Sequence, residues 1–261
     1  KAFDPLAFLA EYFDTIEINS SFYSPPRPAD AASWARRVSN NPRFRFTAKA
    51  WQRLTHQPKG EPLLSPAVDC DIVRSSLAPL AESGRLGAVL IQFPWSFRYS
   101  PESLAHLGEL FRLLKDFPLV LEVRHGSWDQ EAFFAFLRDN GVGFCNVDQP
   151  VIGDSLKPSA HVTARVGYWR LHGRNYANWF KEDAGRDARY DYLYSKEEIG
   201  EIAQLIRTVG QNAEETYAIT NNHFRGQALI NALEILEELD GRPPAVPPLL
   251  AVSYPAHFPE E

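Results

Sequence analysis

The sequence predicts an α/β fold of the (β/α) barrel type, and three observations lead to it. Short apolar runs of strand length alternate with helical stretches along the whole chain, which is the pattern of parallel strands joined by crossover helices. No linker or shift in composition divides the 261 residues, so we expect a single domain over residues 1–261. A chain of this length suits a barrel. A doubly wound sheet would favour a glycine-rich turn after its first strand. This sequence has no such turn after the first predicted strand.

The strands are predicted from short runs rich in β-branched and aromatic residues. They are Thr15–Asn19, Arg43–Lys49, Ala88–Phe93, Leu119–Arg124, Val142–Val147, Val166–His172 and Thr216–Asn221. The helices between them are predicted from apolar residues at helical spacing. They are Pro5–Phe13, Ala29–Val38, Val68–Ala81, Pro101–Leu114, Glu131–Asn140, Lys196–Thr208 and Gly226–Leu239. A closed barrel of this type has eight strands, so we expect the first strand to lie upstream of Lys1.

Local signals predict the conformation of two segments in the C-terminal half. Ser195 followed three residues later by Glu198 is the pattern of a capping box, which starts a helix. Prolines recur in residues 243–248, and proline lacks the backbone N–H that a helix or a central strand needs. We therefore expect no helix or central strand in this segment, and a proline-rich tail, residues 243–261, that wraps the outside of the domain.

Composition and charge exclude several classes of protein. Lys and Arg number 27 against 33 Asp and Glu, a net charge of -6, so a nucleic-acid contact would need a local basic cluster. The two cysteines, Cys70 and Cys145, form neither a zinc-binding spacing nor a disulfide framework. No apolar run approaches the roughly 18 residues that cross a bilayer. We therefore expect a soluble, cytoplasmic protein.

Polar side chains share one face of several predicted strands, near the carboxyl ends. Period-two alternation separates Glu17 from Ile16 and Ile18. The same alternation places further polar residues on one face of the later strands: Lys49, Glu122, Arg124, Arg170 and His172. The carboxyl ends of the strands are where barrel enzymes carry their sites. We therefore expect these side chains to converge within one cavity.

The charges in this predicted cavity do not cancel. Glu17 and Glu122 oppose three cations, namely Lys49, Arg124 and Arg170. An unpaired buried charge is strongly destabilising. The surplus of cations therefore favours an anionic ligand, which arginine can bind through two donors of its planar guanidinium. The alternative is an ionic network that pairs with itself and only stabilises the fold.

A phosphate-binding site is predicted at the last two strands. Its residues lie at or just after the carboxyl ends of these strands: Arg170, His172, Arg174, Asn221, Asn222 and His223. Backbone amides at the start of the next helix favour an anion, and the loops after the last strands of barrels are a recurrent phosphate site. Alternatively, the asparagine side chains bond to their own backbone and cap the loop. Asn19 and Gln92, at two other strand ends, complete the predicted ligand-binding set.

Six motifs occur in an order that resembles one known family. They are EINSSFY (Glu17–Tyr23), FTAKA (Phe46–Ala50), QFPWSF (Gln92–Phe97), EVRHGSW (Glu122–Trp128), RLHGRN (Arg170–Asn175) and NNHFRGQALINA (Asn221–Ala232). Together they resemble the YecE-like family, also called domain of unknown function 72. The resemblance implies a TIM-barrel-like fold but no reaction, because that family has no settled activity. This chain lacks the family's GTSGW-like first turn, and ITNNH stands where the family has an FNNH-like run.

Three classes of function fit these residues. The first is a metal-free enzyme, a hydrolase or lyase, that acts on a phosphate-bearing substrate with Glu17 or Glu122 as base and His172 as acid. The second is a metal-dependent phosphodiesterase similar in fold to the endonuclease IV barrel, although the histidines lack ligand spacing and nearby arginines oppose a dication. The third is a non-catalytic module that binds nucleic acid. We expect no metal or cofactor, and a small anionic or phosphorylated ligand as partner.

Overall fold

The computed structural model describes residues 3–56, 66–179, 181 and 186–258. Within these ranges seven strands form one sheet in the order β1 to β7, and the pairs from β1 to β5 are parallel. The strands are β1 Thr15–Ile18, β2 Arg45–Lys49, β3 Leu86–Gln92, β4 Leu119–Glu122, β5 Gly143–Asp148, β6 Val166–Leu171 and β7 Glu215–Thr220. All seven predicted strands are confirmed, and the fold is of the TIM-barrel-like α/β class.

Helices alternate with the strands, as the sequence predicts. They are α1 Pro5–Leu9, α2 Pro28–Arg37, α3 Pro66–Glu82, α4 Pro101–Leu113, α5 Glu131–Asp139, α6 Arg186–Arg189, α7 Lys196–Gly210, α8 Gln227–Asp240 and α9 Pro248–Ser253. The predicted capping box is present at the start of α7. The sequence did not predict the short helices α6 and α9, because neither has a long apolar stripe.

The expectation that the proline-rich segment contains no helical residue is wrong at its last position. Pro248 is the first residue of α9, and Pro247 is its N-cap. The first helical position needs no backbone N–H for an intrahelical bond, and the fixed φ of proline suits it, so proline starts this helix rather than preventing it. Of the predicted tail, residues 259–261 lie outside the described residues.

Contacts along the backbone divide the chain into two compact units. The first unit comprises Lys1–Cys145 and Thr163–Val166, and the second comprises Asn146–Val162 and Gly167–Glu261. The single domain expected from the sequence stays a prediction.

Trp128 is a centre of the apolar packing in the first unit. Its side chain is fully buried, and its ring centroid lies 5.2 Å from that of Phe97 and 4.7 Å from that of Phe133 in α5. The indole Nε1 donates a hydrogen bond to the Phe97 carbonyl at 2.9 Å, which satisfies the one polar atom of the ring. Trp128 therefore joins the β3–α4 loop to α5.

Both cysteines lie in the first unit, and neither forms a disulfide. Cys70 in α3 and Cys145 in β5 are buried. Burial in apolar surroundings disfavours the thiolate and raises the pKa of Cys70 to about 12. At neutral pH the Cys70 thiol is therefore protonated and unreactive.

Strand β6 shows which way the polar side chains of the second unit point. Trp169 and Leu171 belong to an apolar cluster with residues of α7 and α8, among them Ile199, Ile202 and Ile235. Successive strand residues point to opposite faces. Arg170 and His172 therefore project to the face opposite these helices, and both are buried.

No helix in the described part of the chain is both long enough and apolar enough to cross a membrane.

Candidate functional site

The register of the sheet places the predicted polar residues of the first unit on one face. Laterally paired residues of parallel strands point to the same side, as do residues two apart along a strand. The lateral pairs are Glu17 with Thr47, Lys49 with Leu90, and Gln92 with Glu122. Because Lys49 follows Thr47 by two positions and Gln92 follows Leu90 by two, the polar residues at the ends of β1 to β4 share a face.

Glu122 and Arg124 form an ion pair at the end of β4. The Glu122 carboxylate is fully buried, and its Oε1 accepts hydrogen bonds from Arg124 Nε at 2.9 Å and Nη2 at 2.7 Å. The Arg124 side chain is only 14% exposed. Arg124 therefore compensates the charge that β4 places in the interior of the unit.

His56 lies beside two of the predicted cations. Burial lowers the pKa of His56 below its usual 6.5, and the positive charges of Lys49 and Arg124 lower it further. Lys49 and His56 both contact the Phe22 ring. Lys49 Nζ lies 4.2 Å from the ring centroid, and the His56 ring packs edge-on with its centroid 5.2 Å away. Lys49, Arg124 and His56 thus form one group, which we call the cationic group.

Ser21 fixes the backbone at the strand end that carries Lys49. Its hydroxyl lies 2.7 Å from the Lys49 carbonyl and 2.6 Å from the Ile18 carbonyl. Ser21 is buried, whereas Asn19, two residues earlier and at the N-cap of the same short 3₁₀ turn, is exposed. Sequence reasoning named Asn19 and missed Ser21, although both belong to the motif EINSSFY.

In the second unit, Arg174 is held by two carboxylates. Its guanidinium meets Asp148 in a bidentate pair, with Nε 3.0 Å from Oδ1 and Nη2 2.7 Å from Oδ2, and its Nη1 lies 3.0 Å from Glu198 Oε1. The hydrogen bonds to Asp148 raise the pKa of Arg174 above its usual value. Arg174, which the sequence predicts as a phosphate ligand, is thus paired with Asp148 and Glu198 within the protein.

Two tyrosines extend this ionic pair into a network. Tyr194 donates from its hydroxyl to Asp148 Oδ1 at 2.7 Å and accepts from the Gly173 N–H at 2.9 Å. Tyr192 donates to Glu198 Oε1 at 2.7 Å. Burial is the main cause that raises the pKa of both phenols. Sequence reasoning missed both tyrosines, although the alternation RYDYLY (Arg189–Tyr194) could have drawn attention to them.

Gly173, the residue between His172 and Arg174, is required by this packing. Its φ is +84°, which favours glycine. A Cβ at this position would lie 2.8 Å from the Tyr192 Cβ. The loop after β6 can therefore approach the tyrosines only because it has no side chain there.

Asn222 closes the network from the loop after β7. Its Nδ2 donates to the Tyr192 carbonyl and to Asn231 Oδ1, both at 2.8 Å, and Asn231 Oδ1 also accepts from the Tyr194 N–H at 3.2 Å. Asn222 and Asn231 are fully buried. The amide of Asn222, predicted to bind a ligand, is thus bonded within the protein. We call the set Asp148, Arg174, Tyr192, Tyr194, Glu198, Asn222 and Asn231 the loop network.

The rings of Trp179 and Tyr190 lie beside the remaining predicted residues of the second unit. The His172 ring lies 6.2 Å from Trp179 and 6.4 Å from Tyr190, and Tyr190 lies 5.0 Å from the exposed His223. Asn221 Nδ2 is 3.2 Å from His172 Nδ1. The structure therefore brings Asn221, His172 and His223 into one neighbourhood. Whether they meet the residues of the first unit in a common cavity stays a prediction.

Arg225 adopts a backbone conformation that costs free energy. Among the described residues it is the non-glycine residue with positive φ, at +51°. The left-handed conformation costs an L-residue about 1–2 kcal/mol. Arg225→Gly is therefore expected to leave the free energy of unfolding within about 1 kcal/mol of the parent, whereas the β-branched Arg225→Val should lower it by about 1–2 kcal/mol.

Urea unfolding followed by circular dichroism measures both variants. Equal stabilities for the glycine and valine variants would mean that the backbone at Arg225 carries no strain.

In residues 3–56, 66–179, 181 and 186–258, no group of three or more His, Cys, Asp or Glu side chains is arranged to hold a metal ion.

The protein is thus of the TIM-barrel-like α/β class, with polar residues at the ends of its strands, and comparison with known proteins identifies its family. The family model described as protein of unknown function DUF72 matches residues 1–253. The chain therefore belongs to this family, and the resemblance inferred from the six motifs is confirmed.

Relatives of known structure share both sequence and fold. A DUF72 family protein from Enterococcus faecalis V583 is 30% identical, with a TM-score of 0.84, over 92% of this chain and 90% of that one. A DUF72 family protein from Thermotoga maritima MSB8 is 32% identical, with a TM-score of 0.79, over 92% of this chain and 91% of that one. The UPF0759 protein YunF of Bacillus subtilis (strain 168) is 30% identical over 241 residues, 88% of this chain and 85% of that protein. None of these names states a reaction.

Proposed function

We propose that the protein binds a small anionic ligand of the phosphate or sulfate type at the cationic group of the first unit. The observation that carries this proposal is the position of Lys49 and His56 on the same Phe22 ring, with Arg124 near enough to His56 to lower its pKa. The site is partly shielded from water, since Arg124 is 14% exposed, and an ionic interaction is stronger there than in bulk water.

The chemistry of the group suits an oxyanion. Arginine and lysine both donate charge-assisted hydrogen bonds to phosphate and sulfate oxygens. A bound dianion would counter the unfavourable effect of Lys49 and Arg124 on protonated His56, so it should raise the pKa of His56. Binding of the anion and protonation of His56 should therefore favour each other.

The reaction, the catalytic residues and the remaining ligand contacts belong to the same proposal. A hydrolase or lyase would use Glu17 or Glu122 as base and His172 as acid. Gln92, Arg170, Asn221 and His223 would take part in binding. A cytoplasmic location also stays a prediction.

Lys49→Gln tests the proposal, with Lys115→Gln as its control. Both variants lose one positive charge in the first unit, and Lys115 is exposed. Sulfate is the probe, because its charge is constant over the pH range of the histidine titration. We expect Lys49→Gln to weaken sulfate binding by about tenfold or more, since a hydrogen bond to a charged group contributes about 1.5–3 kcal/mol. Lys115→Gln should bind like the parent.

Two measurements follow the variants: calorimetry for affinity, and NMR for the pKa of His56. Without sulfate, Lys49→Gln should raise the pKa of His56, because it removes a neighbouring cation. With sulfate, the parent should show a raised pKa of His56, and its sulfate affinity should increase as the pH falls below about 6.5. A parent whose His56 titration does not respond to sulfate, or equal affinities for the two variants, would disprove the proposal.

A further inference from the structure

The C-terminal segment of the second unit contacts the loop after β7 at two places. The segment consists of residues 254–258, which follow α9, and we call it the strap. The loop consists of residues 221–226, between β7 and α8. From the sequence alone, the strap is part of the expected outer tail, and the loop contains predicted ligand-binding residues.

The first contact is a relay of hydrogen bonds through α8. His257 Nδ1 lies 2.8 Å from Glu234 Oε1, and Glu234 Oε2 accepts from Asn231 Nδ2 at 2.6 Å. Asn231 Oδ1 in turn accepts from Asn222 Nδ2 at 2.8 Å. Glu234 is only 7% exposed, and both asparagines are fully buried. The relay therefore joins the strap to Asn222 through groups that water reaches poorly.

The second contact is made directly on the strained part of the loop. The Tyr254 hydroxyl donates to the Arg225 carbonyl at 2.8 Å, where φ is +51°. Leu250 of α9 is buried, and a Cβ on Gly226 would meet its Cδ1 at 3.9 Å. A left-handed residue persists only when its surroundings hold it there, and Tyr254 is one such support.

We infer that the strap holds the loop in the conformation in which Asn221 meets His172. Asn221 immediately precedes Asn222, and its backbone N–H donates to the Leu171 carbonyl at 2.7 Å while its side chain lies 3.2 Å from His172 Nδ1. His257, Glu234, Asn231 and Tyr254 are thus positioning residues. They act on the environment of His172 through Asn221.

The test removes both contacts in the full-length chain. In Tyr254→Phe/His257→Ala, backbone amides of residues 221–227 should exchange with deuterium at least about tenfold faster than in the parent. The NMR signals of the His172 ring should shift, because Asn221 no longer stays in place. With glutamine instead of alanine at position 257 (His257→Gln), most of the protection of these amides from exchange should return, because the glutamine amide can still donate to Glu234. Tyr23→Phe, the same change at an exposed tyrosine of the first unit, should behave as the parent.

A second pair of variants breaks and restores the relay by substitutions in α8 alone, with no substitution in the strap. Asn231→Asp places a carboxylate against Glu234 and should accelerate exchange of the loop. Asn231→Asp/Glu234→Gln restores a donor facing an acceptor and should reverse part of the effect. The inference is overturned if loop exchange changes by less than about twofold in Tyr254→Phe/His257→Ala, or if exchange rises equally throughout the second unit.

Discussion

Arg174→Met is expected to lower the free energy of unfolding by about 3–5 kcal/mol, because it leaves the charge of a buried partner uncompensated. Asp148 is fully buried, and Arg174 meets it with two hydrogen bonds. After the substitution only the Tyr194 hydroxyl would still donate to Asp148 among the contacts of the loop network. Urea unfolding of the variant and the parent measures the difference.

The double variant Asp148→Asn/Arg174→Met separates the effect of charge from that of packing. It removes both charges and keeps an oxygen that can accept from Tyr194, so it should be more stable than Arg174→Met alone. A loss below about 1 kcal/mol in Arg174→Met would show that the pair does not stabilise the network.

The second large effect is expected at Trp128 in the first unit. Trp128→Ala should lower the free energy of unfolding by about 3–5 kcal/mol, the usual cost of removing a large buried aromatic side chain. Trp128→Phe keeps much of the contact with Phe97 and Phe133 and loses the hydrogen bond to the Phe97 carbonyl. It should therefore lie between the alanine variant and the parent.

Thermal and urea unfolding measure the Trp128 series, and Tyr23→Ala at an exposed site serves as the control. If the alanine variant were as stable as the phenylalanine variant, the side chains around Trp128 would fill the vacated space with no loss in the free energy of unfolding.

The strands could be predicted from the sequence, but their ends could not. Apolar runs are long enough to identify each strand, since a buried parallel strand needs apolar residues on both faces. Strand β2 begins at Arg45 rather than Arg43, and β4 ends at Glu122 rather than Arg124. The ends depend on which residues of the neighbouring strand remain available for pairing, and the sequence of one strand does not contain this information.

The polar residues of the site could be predicted, but their partners could not. Alternation alone identified Glu17, Lys49 and Glu122 as residues of one face. The pairing of Arg174 with Asp148 joins positions 26 residues apart along the chain. Whether Arg174 binds this carboxylate or a ligand depends on the geometry of the loop. The charge count made from the sequence included only residues on predicted strands, so it did not include Asp148 and Glu198, the partners of Arg174.

The two buried thiols allow local unfolding of the unmodified chain to be measured by thiol labelling. A thiol reagent attacks the thiolate, and the pKa of Cys70, at about 12, leaves very little thiolate while α3 is packed. Labelling of Cys70 or Cys145 would thus report exposure of α3 or of β5, with no engineered probe. Mass spectrometry of partly labelled protein would then show which of these two elements of the first unit opens first.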